Sequence, residues 1–525
     1  MSAPHILAID LGTSGPKVAL VTVRGRVVAC TTRPTELLLS PGGRAEQRPA
    51  DWWRAIREAT QALHADSGVD PADIVAVAVT AQWAGTVPVD REGNALRDAI
   101  IWMDSRGASS VRALAGGRLR VAGYGVHKLM TWLRRTGGAP SLAGKEPVAH
   151  IAWLRQAEPE VYRATHKFLE PKDYINLRLT GRFAASYDSI ALHWVTDNRD
   201  VSRIDYDPVL LRMTTLERDK LPDLARAVDV LGTLTPEAAA DLGLRPETKV
   251  VLGTPDVQSA AIGSGAVEDY EGHVYIGTSS WLTCHVPFKK TDLLHNMASL
   301  PSALPDRYFV ANAQETAGAC MAWLRDQLFY GDDALELGPA PDDAFVRFGE
   351  LARSVPAGSD KVIFTPWLFG ERSPVADHTV RGGFFNQTLS TTRAHLVRAV
   401  MEGVAYNTRW LLGYVESFTG RRMDSLRMIG GGASSDEWCQ IHADVLDRRI
   451  EQVRDPVQCN ARGVALVAAL GLGYVDKHEI PACVEIQATY EPRPANRDIY
   501  DELFREYLAL YRATKGIYAR LNRHE

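Results

Sequence analysis

The sequence predicts an α/β protein of two domains built on one duplicated plan, and three observations lead there. A chain of 525 residues is too long for a single core, because domains run about 50–250 residues. Continuous apolar runs alternate with amphipathic ones, the pattern of buried strands interleaved with helices. One short pattern also occurs twice, roughly half a chain apart. "ILAIDLGTSG" and "HVYIGTSSW" are both apolar runs that break into Gly-Thr-Ser.

The elements follow in order. "HILAIDLG" predicts a buried strand, turned by Gly15-Pro16 into "KVALVTV" and by Arg24-Gly25 into a third strand. "ADWWRAIREATQALHADSG" has apolar positions at helical spacing and a glycine stop. "IVAVAVTAQ" is a further buried strand. The second half repeats the grammar. "KVVLGTPD" is a strand ending at Asp256, followed by the small-residue helix "VQSAAIGSG", and "HVYIGTSS" runs into a turn. "RYFVANAQETAGACMAWLRDQLF" reads as strand then helix, and "SLRMIGGGASSDEWCQIHADVLD" as strand, glycine turn and long helix. "ARGVALVAALGLG" is an apolar helix rich in small residues. The final amphipathic helix, "RDIYDELFREYLALYRATKGIYARL", is expected to pack on its own domain. The stretch "RPETK" marks the expected boundary, giving domains 1–247 and 248–525.

Composition narrows the function classes. A net charge of −5 offers no electrostatic case for nucleic acid or an anionic membrane. Six scattered cysteines form no CxxC pair, which argues against a zinc knuckle or disulfide framework and fits a reducing cytosol. The start "MSAPHILAIDLG" lacks a basic leader, and no apolar run reaches transmembrane length. A soluble, cytoplasmic protein is the expectation.

Gly-Thr-Ser after a buried strand presents backbone N–H groups and two hydroxyls, donors that can converge on one phosphate. Either turn alone also reads as an ordinary hairpin. Two copies plus "IGGGASS" make three such strand ends and point to a nucleotide cleft between related domains. No GxxxxGK[ST] loop and no early GxGxxG is present, so P-loop and dinucleotide enzymes are disfavoured. Asp10 sits inside an apolar strand just before the first turn. Burial there needs a cation or hydrogen-bond partners, and Mg²⁺ beside ATP phosphates would serve; bonds from turn amides are the plainer alternative. Asp256 also ends an apolar strand and is a candidate general base for a hydroxyl attacking the γ-phosphate, or a helix N-cap.

Several stretches together resemble the FGGY carbohydrate kinases. They are "ILAIDLGTSGPKVALV", "GGRAEQRPADWW", "AIIWMDSR", "EPKDYINLRLTG", "GTPDVQSAAIGSG", "YIGTSSW", "FGERSPVADHTVRGGFFNQT" and "MIGGGASSDEWCQIHADVL". "RGGFFNQTLSTTRAHLVRAVMEGVAY" is similar to the family's C-terminal signature, and the likeness runs from about residue 5 to about residue 475. Within the family it is greatest to xylulokinases, through "PKDYINLRLTG" and "GERSP".

The resemblance implies two ribonuclease-H-like domains of the actin/hexokinase/Hsp70 superfold with ATP and sugar between them. It makes Asp256 the proton acceptor. Gly12, Thr13 and Ser14 become the first phosphate loop, with Lys17 nearby, and Gly277, Thr278 and Ser279 the second. Gly318 falls near the phosphates. Gly431, Gly432, Ala433 and Asp436 fall at the adenosine. Gln82, Trp83, Ala84 and Asp104 lie where the family touches sugar, with Asp256 and Gln258 beside them. Asp10 and Asp256 are the implied Mg²⁺ positions. The duplicated turn needs its metal-managing acid only once, which accounts for Asp10 having no counterpart in the second copy.

Two departures bear on substrate. Trp83-Ala84 stands where xylulokinases commonly have Met-His, and Val257-Gln258 follows the implied base where they commonly have Asn. Polar groups in such a pocket discriminate strongly. D-xylulose therefore leads a set that keeps other pentuloses, tetroses and polyols open. Trp83 could stack on a sugar face or simply pack in the core. Glycerol is disfavoured, because glycerol kinases carry Arg-Glu at that place. An ATPase or regulatory protein on the same fold, without a sugar, is the alternative from another class. Family members are often dimers, so a homodimer is a possible partner state.

Overall fold

The computed structural model describes residues 4–334 and 338–522. Among the described residues the first sheet has six strands. Its centre is His5–Gly12 (β1), paired antiparallel with Gly15–Thr22 (β2), which in turn pairs antiparallel with Val27–Thr32 (β3). On its other side β1 runs parallel to Ile74–Ala81 (β4). Val230–Thr233 (β5) closes the edge against Lys249–Pro255 (β6), and β6 runs parallel to β4. The order is β5-β6-β4-β1-β2-β3.

The second sheet contains Gly272–Ile276 (β7), Ser280–Val286 (β8), Thr291–Asp292 (β9), Met297–Pro301 (β10), Tyr308–Ala311 (β11), Ser425–Ile429 (β12), Arg449–Val453 (β13) and Ile486–Tyr490 (β14). Its order is β9-β10-β11-β8-β7-β12-β13-β14. The run β11-β8-β7-β12-β13 repeats β3-β2-β1-β4-β6. In each, two antiparallel neighbours lie on one side of the central strand and two parallel strands on the other. The Gly-Thr-Ser turns are therefore equivalent corners of two equivalent sheets.

β1 is continuously apolar because both its faces are covered, the condition under which strand alternation disappears. Leu7, Ile9 and Leu11 pack against Trp52 and Ile56 of the helix Pro49–Ser67 (α1). Ile6 and Ala8 face the other way, into a core shared with the helices Asp256–Gly263 (α2) and Cys459–Gly471. Trp281 and Ile429 of the second sheet join that same core. Two helices thus lie between the sheets and join the halves. α1 stops where the sequence predicts, at Gly68 with φ of 65°.

The expected division at 247/248 falls inside one sheet. β6 and α2 lie beyond that point, yet β6 hydrogen-bonds to β4 of the first sheet. The boundary therefore moves past Gly263. "RPETK" is only the turn entering β6, and a parallel partner strand distant in sequence decides where β6 belongs.

The second half is organised around Arg393–Thr419 (α3) and Asp436–Leu446 (α4), with Cys459–Gly471 (α5) reaching back to the first sheet. The terminal helix Arg497–Leu521 (α6) packs on its own domain, burying Tyr500, Leu503 and Tyr507. Tyr500 Oη donates to Glu402 at 2.8 Å and accepts from Arg398 at 3.0 Å. No helix among the described residues is long and apolar enough to cross a membrane, and all six cysteines are free thiols.

Glu371 of "FGERSP" is 1% exposed. It accepts from Asn407 Nδ2 at 2.6 Å and from the backbone N–H groups of Glu315 and Arg372. Burial pushes its carboxyl up to about 7. The folded value lies above the unfolded one, so this group's stabilisation is complete below about pH 4.5 and is lost as pH rises through about 7. Over that window the slope from one proton is about 1.4 kcal/mol per pH unit. Melting of the ligand-free protein across pH 5–8 should therefore decline less steeply in Glu371→Gln than in wild type. An unchanged slope would refute the assignment, whatever the variant's absolute stability.

Candidate active site

The first turn is a two-residue hairpin, Thr13-Ser14, closed by the pair Gly12 and Gly15. Gly15 is required there. Its φ is 131°, and a Cβ would stand 2.1 Å from Arg33 O. Thr13 Oγ1 donates to Gln82 Oε1 at 3.1 Å and accepts from Trp102 Nε1 at 3.0 Å. Gln82 Nε2 donates to Gln47 Oε1 at 2.7 Å, and Gln47 Nε2 returns to Thr13 O at 2.8 Å. A closed amide network therefore holds the turn against α1, where Trp52 Nε1 also donates to Gln47.

The second turn, Gly277-Thr278-Ser279, links β7 to β8. Gly318 N–H donates to Gly277 O at 2.7 Å, and the Ala317 and Ala319 amides donate to Thr278 O. A Cβ on Gly318 would meet Gly277 O at 2.5 Å, so only glycine allows this approach. Gly318 is thereby brought onto the second turn. At the end of β12, Gly431 and Asp436 are exposed while Gly432 and Ala433 are buried. Gln452 Nε2 donates to Ala433 O at 2.7 Å and to Asp436 Oδ1 at 3.1 Å, fixing that corner.

Asp10 of β1 and Asp256 at the start of α2 lie close enough for the charge of Asp10 to be felt at Asp256. Asp10 is 5% exposed on β1, opposite Lys17 of β2, whose Nζ is 3.7 Å from Asp10 Oδ2. Burial pushes the Asp10 carboxyl up, while Lys17 and the Asn460 side chain draw it down. Asp256 opens α2, half-buried, with its Oδ1 accepting Val257 N–H at 2.8 Å. Burial, and then the charge of Asp10, push it up to about 7. Asp256 is the first residue of α2, after the N-cap Pro255, so it does not stand at the N-cap position. Lys17 Nζ reaches Val457 O of the other half at 2.7 Å, a contact between domains in addition to the one with Asp10.

Three expected sugar contacts are engaged elsewhere. Gln258 is 0% exposed, its amide bridging Pro301 O at 3.0 Å and Ala303 N at 2.6 Å. Two helical residues rotate a side chain by about 200°, so Gln258 points away from the face that carries Asp256. Asp104, 1% exposed, accepts Ala45 N–H at 2.9 Å and pairs with Arg106 at 2.7 Å. Gln82, 3% exposed, belongs to the network under the first turn. In the ligand-free structure all three are tied into the protein frame by these bonds. Trp83 is half-buried, its Nε1 donating to Ser189 O at 2.8 Å, and Ala84 adopts φ of 66°. The Gly85 amide beyond it donates to the buried Glu170 carboxylate at 2.9 Å.

Trp102, 37% exposed with its indole N–H on Thr13, lies at the first turn and was not singled out by sequence. Asn460, whose side chain meets Asp10 from the start of α5, was equally hidden. Trp102 stands inside "AIIWMDSR", where an exposed aromatic beside buried apolar residues was the available signal. Asn460 had none, because its neighbourhood is created by α5 crossing from the second half.

Among the described residues no three or more His, Cys, Asp or Glu converge as a metal cage. Two desolvated carboxylates within each other's field do suit Mg²⁺, which takes one or two carboxylates and completes its shell with phosphate oxygens and water.

Comparison with known proteins shows the family. The family model for the N-terminal domain of the FGGY family of carbohydrate kinases matches residues 5–263. The C-terminal domain model of that family matches residues 273–472. The chain is 29% identical over 521 residues to a xylulose kinase of Bacillus subtilis (strain 168), covering 98% of each chain. It is 30% identical over 458 residues to the xylulose kinase of Escherichia coli (strain K12), covering 85% of each. The crystal structure of gluconate kinase from Lactobacillus acidophilus superposes with a TM-score of 0.85 at 25% identity, covering 99% of this chain and 100% of that one. With both family domains matched in order along most of its length, this chain belongs to the FGGY family of carbohydrate kinases.

Proposed function

We propose that the protein transfers the γ-phosphoryl group of ATP to a terminal hydroxyl of a small open-chain sugar, with D-xylulose the leading substrate. The observation that carries this reading is Asp256, a half-buried carboxylate raised to about 7 and lying near Asp10 between two glycine turns of equivalent sheets. A base poised near the working pH accepts a proton with the best balance of ionised fraction and basicity. The repeated strand order likewise supports the ribonuclease-H-like duplication expected of this family.

In this reading Asp256 takes the proton of the sugar hydroxyl. Amides and hydroxyls of Gly12–Ser14 and Gly277–Ser279 hold the phosphates, Gly318 lets the second turn close on them, and the corner Gly431–Asp436 receives the adenosine. Positioning and electrostatic stabilisation are what phosphoryl transfer asks of a protein. Mg²⁺ bound beside Asp10 and Asp256 would neutralise charge on the phosphate oxygens.

The fixed amides of Gln82 and Gln258 leave selectivity to the turn Trp83-Ala84, to Trp102 and to Asp256. Relatives named for both xylulose and gluconate keep the acceptor open within the class of open-chain sugars and their acids. The test is ADP release from Mg²⁺–ATP across ketopentoses, tetroses, hexuloses, polyols and gluconate. A sharp response to one acceptor supports the kinase and names its substrate. Turnover indifferent to every acceptor would overturn this reading in favour of an ATPase on the same fold.

A further inference from the structure

Tyr275 lies on β7 two residues before Gly277. Val274 and Ile276 fill the second core, and Tyr275 faces the opposite side of the strand, toward the helices between the sheets. Its ring stacks on its cross-strand partner Trp281, with centroids 3.9 Å apart and planes at 5°. The phenol end reaches the second turn. A Cβ on Gly277 would stand 2.3 Å from Tyr275 Oη and 2.4 Å from Cε1. A Cβ on Gly430 would come within 3.1 Å of Cδ2. Gly277 does not adopt a left-handed φ, so room for this ring, not backbone freedom, is what glycine supplies there. Two glycine corners bracket one phenol.

The hydroxyl makes no hydrogen bond with any described residue, and Tyr275 is half-buried. The backbone of the turn is tied down at Gly277 O, Thr278 O and Ser279 O, while the phenol, like the Thr278 and Ser279 hydroxyls, is left open beside it. Burial, then Asp256 and Asp10, push the phenol up to about 12. The hydroxyl therefore keeps its proton at neutral pH, and both carboxylates are near enough to be felt.

We propose that Tyr275 is a further catalytic residue, its neutral hydroxyl donating a hydrogen bond to the phosphoryl group in transit between nucleotide and acceptor. The inference rests on the kinase reading above. In the step, the acceptor oxygen–phosphorus bond forms as the bond to the β,γ-bridging oxygen breaks. The acceptor proton passes to Asp256, and Tyr275 retains its own. A neutral donor suits a site that already holds two carboxylates, because it stabilises charge on the equatorial oxygens without adding a further buried charge.

Tyr275→Phe keeps the ring, the stack on Trp281 and the fit between the glycines, and removes only the oxygen. The experiment measures acceptor-dependent ADP formation, the KM for acceptor, the affinity for ADP and the melting temperature of wild type and variant. The expected result is a kcat lower by about 10²-fold or more, the size of losing one oriented donor. KM, ADP affinity and melting should stay within about twofold or a degree or two of wild type. A kcat within twofold of wild type overturns the Tyr275 assignment alone. A loss of ADP affinity or melting temperature in step with kcat also overturns it, because the tyrosine is then a packing residue. Wild-type turnover that ignores every acceptor overturns the kinase reading, and the Tyr275 assignment falls with it.

Discussion

Asp256→Asn is expected to fold, to bind ADP as wild type does, and to lose sugar phosphorylation by about 10²–10⁴-fold, the usual contribution of a general base. The substitution is nearly isosteric, and the hydrogen bond that the carboxylate accepts from Val257 N–H can be accepted equally by an amide oxygen. What disappears is the proton acceptor. The sign of the pH dependence follows from the same group. Its carboxyl is raised to about 7 in the ligand-free protein, so activity that needs the ionised form should fall on the acid side and rise toward an alkaline plateau. Folding responds in the opposite sense. A carboxyl with a folded pKa above its unfolded one stabilises the fold at low pH and loses that contribution as pH rises through about 7. The Asn variant should therefore melt no lower than wild type at pH 8. Activity retained within tenfold, or a variant that no longer binds ADP, would remove Asp256 from the role of base.

Gly463→Ala should lower both stability and turnover. α2 and α5 cross with their backbones almost touching. A Cβ on Gly463 would stand 1.8 Å from Ser259 O, and one on Gly263 would stand 1.9 Å from Cys459 O. Ser259 Oγ donates to Asn460 O at 2.7 Å across the same crossing. Real carbons cannot approach so closely, so the helices must part by more than an ångström. Neither can yield easily, because Val464, Leu466 and Val467 of α5 are fully buried between the two sheets. Overpacking of this kind costs about 3 kcal/mol, at the upper end of the usual range. α2 begins at Asp256, and a shift of about 1 Å in a reacting group costs about 10²-fold in rate. Chemical denaturation and ADP-release assays on the variant test both effects. Gly413→Ala on the exposed face of α3 is the control, since no atom lies within 4 Å of its added Cβ. It should be neutral or stabilising by about 0.4–1 kcal/mol.

How much of this was legible depended on whether the deciding contact was local. β1, β4 and β7 announce themselves, since a strand covered on both faces must be continuously apolar. The two Gly-Thr-Ser turns also show in the sequence, because Gly15 needs a left-handed φ and Gly277 needs an absent side chain. Gln82, Asp104 and Gln258 were placed in the pocket by their position in motifs. In the structure each also holds bonds to its own frame that no local pattern announces, Gln258 because helix α2 starts at Asp256 and carries it round to Pro301. Tyr275 stood in plain view in "HVYIGTSSW", but nothing local says that its ring folds over Gly277.

The amino-acid sequence by itself determined the family, the duplicated α/β plan, the glycine turns and the two acids, because each rests on residue types at fixed local spacing. Only the tertiary structure decided that β6 belongs to the first sheet, that Asp256 lies in the field of Asp10, and that the Tyr275 phenol lies against Gly277 within reach of both charges. Those outcomes depend on parallel strand pairing and on α5 crossing from one half to the other. Such contacts join residues far apart in the chain, and no local pattern encodes them.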